Sequence, residues 1–191
     1  MTVTSAQLAT LRPWPHLGWQ RSLQLAAAPS GDWRSWLNEP GSLTLRLQSH
    51  ASQSFSVRIL SEGVQPISRE ERSLLNTRTP RIWVRQVLLE VDGEPWVFAR
   101  SLLPLNKQGQ LIHRLTHLGN QPLGHLLFKD PTIQRGDFLF CRPHRLPFAS
   151  LWGRASCFES EDLRLLVAEH FLPPMAQKLG LPHPAWESAH E

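Results

Sequence analysis

The sequence predicts an α+β domain on an antiparallel sheet of about six strands, and three observations carry that expectation. The stretch from Ile82 to Arg100 reads as two apolar strands joined by Asp92-Gly93, a dipeptide that strongly signals a tight hairpin. Several other short segments alternate apolar and polar residues, as strands with one wet face do. Strands and helical stretches do not alternate regularly, which argues against a parallel sheet.

In chain order, Pro13, Pro15 and the loop signals Ala26 to Gly31 break up the N-terminal segment. Asp32 is placed to cap a short helix, Trp33 to Glu39, closed by Pro40-Gly41. Ser42 to His50 alternates, with Leu43, Leu45 and Leu47 on one face, and is expected to be a half-buried strand. A second strand, Phe55 to Leu60, turns Phe55, Val57 and Ile59 inward and ends at Ser61-Glu62-Gly63. Ser68 and Glu71 have capping-box spacing, so a short helix precedes Pro80. After the central hairpin, Leu105 to Gln110 is a loop, and Leu111 to Gly119 fits no single pattern. Gln121 to Phe128 is a turn entering a short helix, with Pro122 early in it. Thr132 to Arg142 and Leu151 to Glu159 read as strands around a proline-bearing loop. Leu163 to Leu172 fits strand or helix. Pro174, Pro182 and Pro184 suggest a loosely packed tail. The expected division is a domain over residues 1–174 and a C-terminal extension over 175–191.

The bulk numbers bound the function. A chain of 191 residues, 41% of them hydrophobic, can bury a sizeable core. The net charge is +4 and the pI about 9.8. The basic residues form no stripe, which argues against a nucleic-acid partner. No apolar run of about 18 residues is present, so no membrane span is expected. The N-terminus has no signal-peptide pattern, and a soluble cytoplasmic protein is the default. Cys141 and Cys157 have neither a disulfide-framework nor a metal spacing and read as buried thiols. His113 and His117 have helical i,i+4 spacing but no acid completes a metal set, so they read as surface histidines. No phosphate loop and no G-x-S-x-G elbow occurs.

Two charges interrupt apolar rows. Arg85 shares a strand face with Trp83, Val87, Leu89 and Val91. If 163–171 is a strand, Glu169 shares a face with Leu163, Leu165, Val167 and Phe171. A buried charge needs a partner. One reading is structural: a plain Arg85–Glu169 ion pair, or Arg85 snorkelling to water at a sheet edge and Glu169 in solvent on a helix. The other is a pocket with a cationic end and an acidic end, suited to a ligand with a carboxylate and a hydroxyl. Pro122-Leu123-Gly124 would present backbone N–H groups at a helix start. Gly153 would mark a bulge or a close backbone approach.

The motifs W-V-R-Q-V-L-L-E-V-D-G-E-P-W, P-L-G-H-L-L-F, L-W-G-R-A-S and A-E-H-F-L-P, in that order over residues 33–174, resemble the chorismate–pyruvate lyases. The resemblance implies conversion of chorismate to 4-hydroxybenzoate and pyruvate, the first committed step of ubiquinone synthesis. It also implies a six-stranded antiparallel sheet with flaps over the ligand, and a monomer needing no metal or cofactor. By the same resemblance, Arg85 holds the ring carboxylate and the Leu123 backbone N–H shares it. Glu169 contacts the 4-hydroxyl, and Leu43 stands where the family often has methionine. A second cation should meet the pyruvyl carboxylate, with Arg154 and Arg46 as candidates. The alternatives are a non-catalytic module that binds an aromatic carboxylate on the same fold, or a lyase of altered specificity.

Overall fold

The computed structural model describes residues 17–21, 31–105, 109–142 and 151–182. Its organising element is the hairpin of β2 (Ile82–Val91) and β3 (Glu94–Pro104). Asp92 and Gly93 both have positive φ, 51° and 82°, the backbone that a type I′ turn requires. The Asp92 carboxylate accepts the backbone N–H groups of Ser52, Gln53 and Ser54 at 3.0, 2.7 and 3.0 Å. These bonds hold its pKa below the usual carboxylate range and tie the turn to the segment entering β1 (Phe55–Val64).

The remaining strands are β4 (Gln134–Arg135), β5 (Leu139–Cys141), β6 (Trp152–Glu159) and β7 (Arg164–Phe171). Seven strands form one antiparallel sheet in the order β1-β2-β3-β7-β6-β4, with β5 also on β6. The expected count of about six is met by five long strands and two short ones. The ambiguous 163–172 stretch is strand, because it closes a hairpin with β6 and fills the slot beside β3.

Both faces of the sheet are covered, so β2 is buried at nearly every position rather than alternating. On one face lie α1 (Gly31–Leu37), α2 (Leu43–His50) and α5 (Leu123–Leu127), with the core of Trp33, Leu37, Leu47 and Phe171. The other carries α3 (Arg69–Leu74) and residues 17–19, whose backbone N–H groups all reach the Glu70 carboxylate at 2.7–3.2 Å. The capping box of Ser68 and Glu71 is present as expected. No helix among the described residues is long and apolar enough to cross a membrane.

Three expectations fail for identifiable reasons. Ser42 to His50 is not a strand: Leu43–His50 is α2. Three leucines at alternate positions satisfy two periods at once, since Leu43 and Leu47 are also i and i+4. The Ser42 side chain, accepting from the Leu45 N–H at 3.4 Å, selects the helix and leaves Leu45 57% exposed. Glu62 does not end β1. A bulge between Ile59 and Ser61 lets the strand continue to Val64 and sets Glu62 opposite Arg85. The tail is not loose where it is described. Pro173–Leu179 is a further helix, α6, with Met175 and Ala176 at 0% exposure in the core. Gly180, at φ 64°, ends it in the left-handed conformation that glycine adopts most readily. Residues 183–191 of the expected extension lie outside the described residues. The unassigned stretch 111–119 begins within a further helix, α4 (Gln110–Thr116), and exposed His113 stacks at 4.1 Å on His117 at its C-cap.

Candidate active site

Arg85, Glu169, Leu43 and Leu123 come from four distant parts of the chain and line one cavity. Its floor is a single face of four adjacent strands: Val57, then Arg85, Val87 and Leu89, then Ala99 and Ser101, then Val167 and Glu169. The register explains the set, because Arg85 faces Ser101, Ser101 faces Val167, and Ala99 faces Glu169. Gly41 to Thr44 and Pro122 to Gly124 form the roof, with Phe128, Arg135 and Phe158 at one side. Gly124 is required by the close approach of the two roof segments. A Cβ there would lie 2.9 Å from Ser42 Oγ and 3.3 Å from Thr44 Oγ1. Leu43, 3% exposed, is the first residue of α2 and contributes an apolar wall.

Arg85 is 2% exposed. Its guanidinium donates to Gly119 O at 2.6 Å, Gln121 O at 3.3 Å and Glu62 Oε2 at 3.3 Å. The two carbonyls belong to the turn that leads into α5, so the arginine and the Pro122-Leu123 segment are fixed to one another. Burial lowers its pKa, and Glu62 partly restores it. The Arg85–Glu169 ion pair considered above does not form. Glu169 instead accepts from Arg154 Nε at 2.6 Å, while Arg135 Nη2 stands 3.9 Å from the same oxygen. Arg85 and Glu169 therefore stand apart in the pocket, Arg85 with Glu62 and Glu169 with Arg154 and Arg135.

The two cations suggested for a second carboxylate are engaged elsewhere. Arg154 is fully buried and outside the cavity wall; its Nη1 donates to the carbonyls of Trp36, Leu37 and Glu39. Arg46 lies on the outer side of α2, stacked 3.7 Å from the Trp36 ring centroid and bonded to Ser35 and Glu39. Sequence reasoning missed Arg135, which lines the cavity, and missed Glu62 as the partner of Arg85. It also missed the Arg154–Glu169 pair, although the signal was there: Arg154 shares a row with Trp152, Ser156 and Phe158, and a hairpin about Ser160 to Leu163 sets it opposite Glu169.

Gly153 is a close approach, with no shift in the β6–β7 register. A Cβ at that position would come within 2.7 Å of Cys141 Sγ and 2.8 Å of His170 Nδ1. Cys141 is buried and Cys157 partly so; burial raises both thiol pKa values, which keeps them unreactive.

Fold and site together define a class: an antiparallel α+β protein with a small internal pocket, apolar over most of its wall, that is lined by Arg85, Arg135 and Glu169. The chain belongs to the chorismate lyase family, whose model matches residues 15–181. It is 40% identical over 168 residues to a protein of Shewanella amazonensis named probable chorismate pyruvate-lyase, covering 81% of this chain and 87% of that one. A protein of the same name from Pseudomonas putida is 37% identical over 173 residues, covering 87% and 95%. Among solved structures, the effector domain of PhnF from Mycobacterium smegmatis aligns with a TM-score of 0.49 at 9% identity, over 70% of this chain and 90% of that one.

Proposed function

We propose that this protein is a chorismate–pyruvate lyase, eliminating pyruvate from chorismate to give 4-hydroxybenzoate, and that it acts as a cytoplasmic monomer supplying ubiquinone synthesis. The observation that carries this reading is the polarity of the cavity. Arg85 stands at one end, Glu169 at the other, and valine, leucine and alanine side chains line the floor between them. That matches a six-membered ring with a carboxylate at C1 and a hydroxyl at C4.

The chemistry asks for little beyond this. The C3–O bond breaks, and its electron pair leaves with the enolpyruvyl oxygen. The C4–H bond breaks, and its pair completes the aromatic ring. The proton ends on the methylene carbon of the enolpyruvyl fragment, which becomes pyruvate. Both products together hold every atom of the substrate. Aromatisation drives the reaction, so the protein's part is to hold one reactive conformer in a dry, charged site. In this reading Arg85 anchors the ring carboxylate together with the Leu123 backbone N–H. Glu169, with Oε2 on Arg154, turns its other oxygen to the C4 hydroxyl. Leu43 packs on the ring.

Entry requires movement. The cavity has about 50 Å3 of free volume, whereas an apolar cavity of roughly 150 Å3 holds benzene. The floor is continuous sheet and the 122–124 segment is tied to it through Arg85, so the roof opens where segment 41–44 parts from 122–124. The test is to incubate the purified protein with chorismate and follow both products by chromatography. Equimolar 4-hydroxybenzoate and pyruvate are expected, and Arg85→Ala should abolish them. Saturable binding of 4-hydroxybenzoate with no turnover of chorismate would replace the lyase reading with a binding module.

A further inference from the structure

We infer that Arg135 binds the second carboxylate of the substrate, the one carried by the departing enolpyruvyl group. The inference rests on the lyase reading and adds to it the cation that reading lacks.

Position comes first. C3 and C4 of the substrate ring are neighbours, so the ether oxygen at C3 and the hydroxyl at C4 lie side by side. Whatever meets the enolpyruvyl carboxylate must stand beside the residue that meets the hydroxyl. Arg135 does: its Nη2 is 3.9 Å from Glu169 Oε2, and the side chain lines the cavity. Arg154 touches Glu169 but is off the cavity wall, and Arg46 is on the outside of α2.

Charge comes second. Glu169 is already matched by Arg154 at 2.6 Å, and Glu39 by Arg46 at 3.1 Å. Arg135 makes no close ion pair among the described residues. It is held instead by neutral groups: Nε donates to Ser156 Oγ at 2.8 Å, and Nη1 makes long bonds of 3.4 Å to the carbonyls of Pro40 and Gly41. Nη2 has no hydrogen-bond partner among the described residues. The guanidinium is boxed by aromatic rings, with Phe138, Phe158 and Phe128 centroids at 4.1, 5.1 and 5.8 Å. Such a box orients a planar cation without neutralising it. Burial pulls its pKa down to about 10, with Glu169 only partly offsetting the loss of water. A half-buried cation with a spare donor beside the hydroxyl end is what a second carboxylate requires. As the C3–O bond breaks, negative charge grows on the fragment bearing that carboxylate, so the contact strengthens along the reaction.

The test separates the two carboxylates. 4-Hydroxybenzoate keeps the ring carboxylate and has no enolpyruvyl group. Arg135→Gln should bind 4-hydroxybenzoate within about twofold of wild type while losing roughly 100-fold or more in kcat/KM for chorismate, the scale of truncating one partner of a buried charged contact. Arg135→Lys keeps the charge but cannot hold both Ser156 and a carboxylate, so its kcat/KM should fall by a smaller factor with 4-hydroxybenzoate binding again unchanged. If Arg135→Gln fails to fold, the lysine variant decides. Unchanged kcat/KM in either folded variant, or parallel loss of 4-hydroxybenzoate affinity, overturns the role for Arg135. Failure of the wild-type protein to turn over chorismate would instead overturn the lyase reading.

Discussion

The two faces of the sheet carry the same device with different surroundings. On the face covered by α3, Arg100 donates to the Glu71 carboxylate at 2.6 and 3.4 Å, with 3% and 5% of the two side chains exposed. On the face covered by α2 and α5, Arg154 meets Glu169 at 2.6 Å. Glu71 is fully occupied, because its carboxylate also accepts the Ser68 N–H at 2.8 Å as part of the helix cap. That pair is closed. Glu169 keeps one oxygen toward a cavity, and a further arginine, Arg135, stands next to it. A buried ion pair alone is therefore no mark of a site. What separates the two faces is an unfilled valence beside open space and a cation in excess of the carboxylates.

Breaking either pair should cost stability, and only the pair beside the cavity should also cost turnover. Arg100→Leu leaves Glu71 buried without its cation, which should cost about 3–5 kcal/mol of stability. Denaturant midpoints would fall while the KM for chorismate of the remaining folded enzyme stays put. Glu169→Gln keeps an acceptor for Arg154 but removes the counter-charge of that fully buried cation, so stability falls here too. It weakens the bond to the C4 hydroxyl, worth about 1.5–3 kcal/mol for a charged acceptor, a loss of roughly 10- to 150-fold in kcat/KM by steady-state kinetics. If Arg100→Leu impaired turnover as much as stability, the division between the faces would not hold.

The roof distinguishes the faces in another way. Gly124→Ala drives a methyl toward Ser42 Oγ and Thr44 Oγ1, at an overpacking cost of about 1–3 kcal/mol. Because the crowded atoms belong to the two roof segments, the strain should favour the open arrangement. Stopped-flow release of 4-hydroxybenzoate should then be faster than in wild type, with a weaker product inhibition constant. Slower release, or none of the strain appearing in stability, would mean that the roof does not move as two segments.

How far these features were legible depends on how local their cause is. The hairpin could be read because Asp92-Gly93 dictates its own turn, and the Ser68–Glu71 box because both partners lie within four residues. Arg85 and Glu169 stood out as lone charges in apolar rows, a signal that any regular strand carries. The error at Ser42 to His50 came from a segment whose leucines fit two periods; only the cap at Ser42 separates them. Arg135 was illegible for a different reason. It sits in a two-residue strand with no row to interrupt, and its aromatic box is assembled from Phe128, Phe138 and Phe158 by tertiary packing. Glu62 was hidden by a bulge, which changes the phase of a strand without changing its composition.

The closed face also carries a buried histidine whose titration bears on stability. His170, fully buried between Trp19 and Phe98 with ring centroids at 5.7 and 5.9 Å, has its pKa lowered to about 3 by burial and then by Arg100. Unfolding releases the ring, which then takes up a proton below its ordinary value of 6.5. Between about pH 3 and 6.5 the unfolded chain thus binds the extra proton, and stability must rise with pH across that window. The contribution is complete above 6.5 and is lost on acidification, at about 1.4 kcal/mol per pH unit at full effect. Asp92, with its pKa held down by three backbone N–H groups, acts in the same sense as pH falls through the carboxylate range, so the wild-type profile alone does not isolate the histidine. His170→Phe keeps a ring between Trp19 and Phe98 and removes the proton site. Denaturant melts of the two proteins from pH 7 to 4.5 should diverge, the variant losing less stability per unit than the parent. Parallel profiles would place the acid sensitivity of the fold in its carboxylates and not in this face of the sheet.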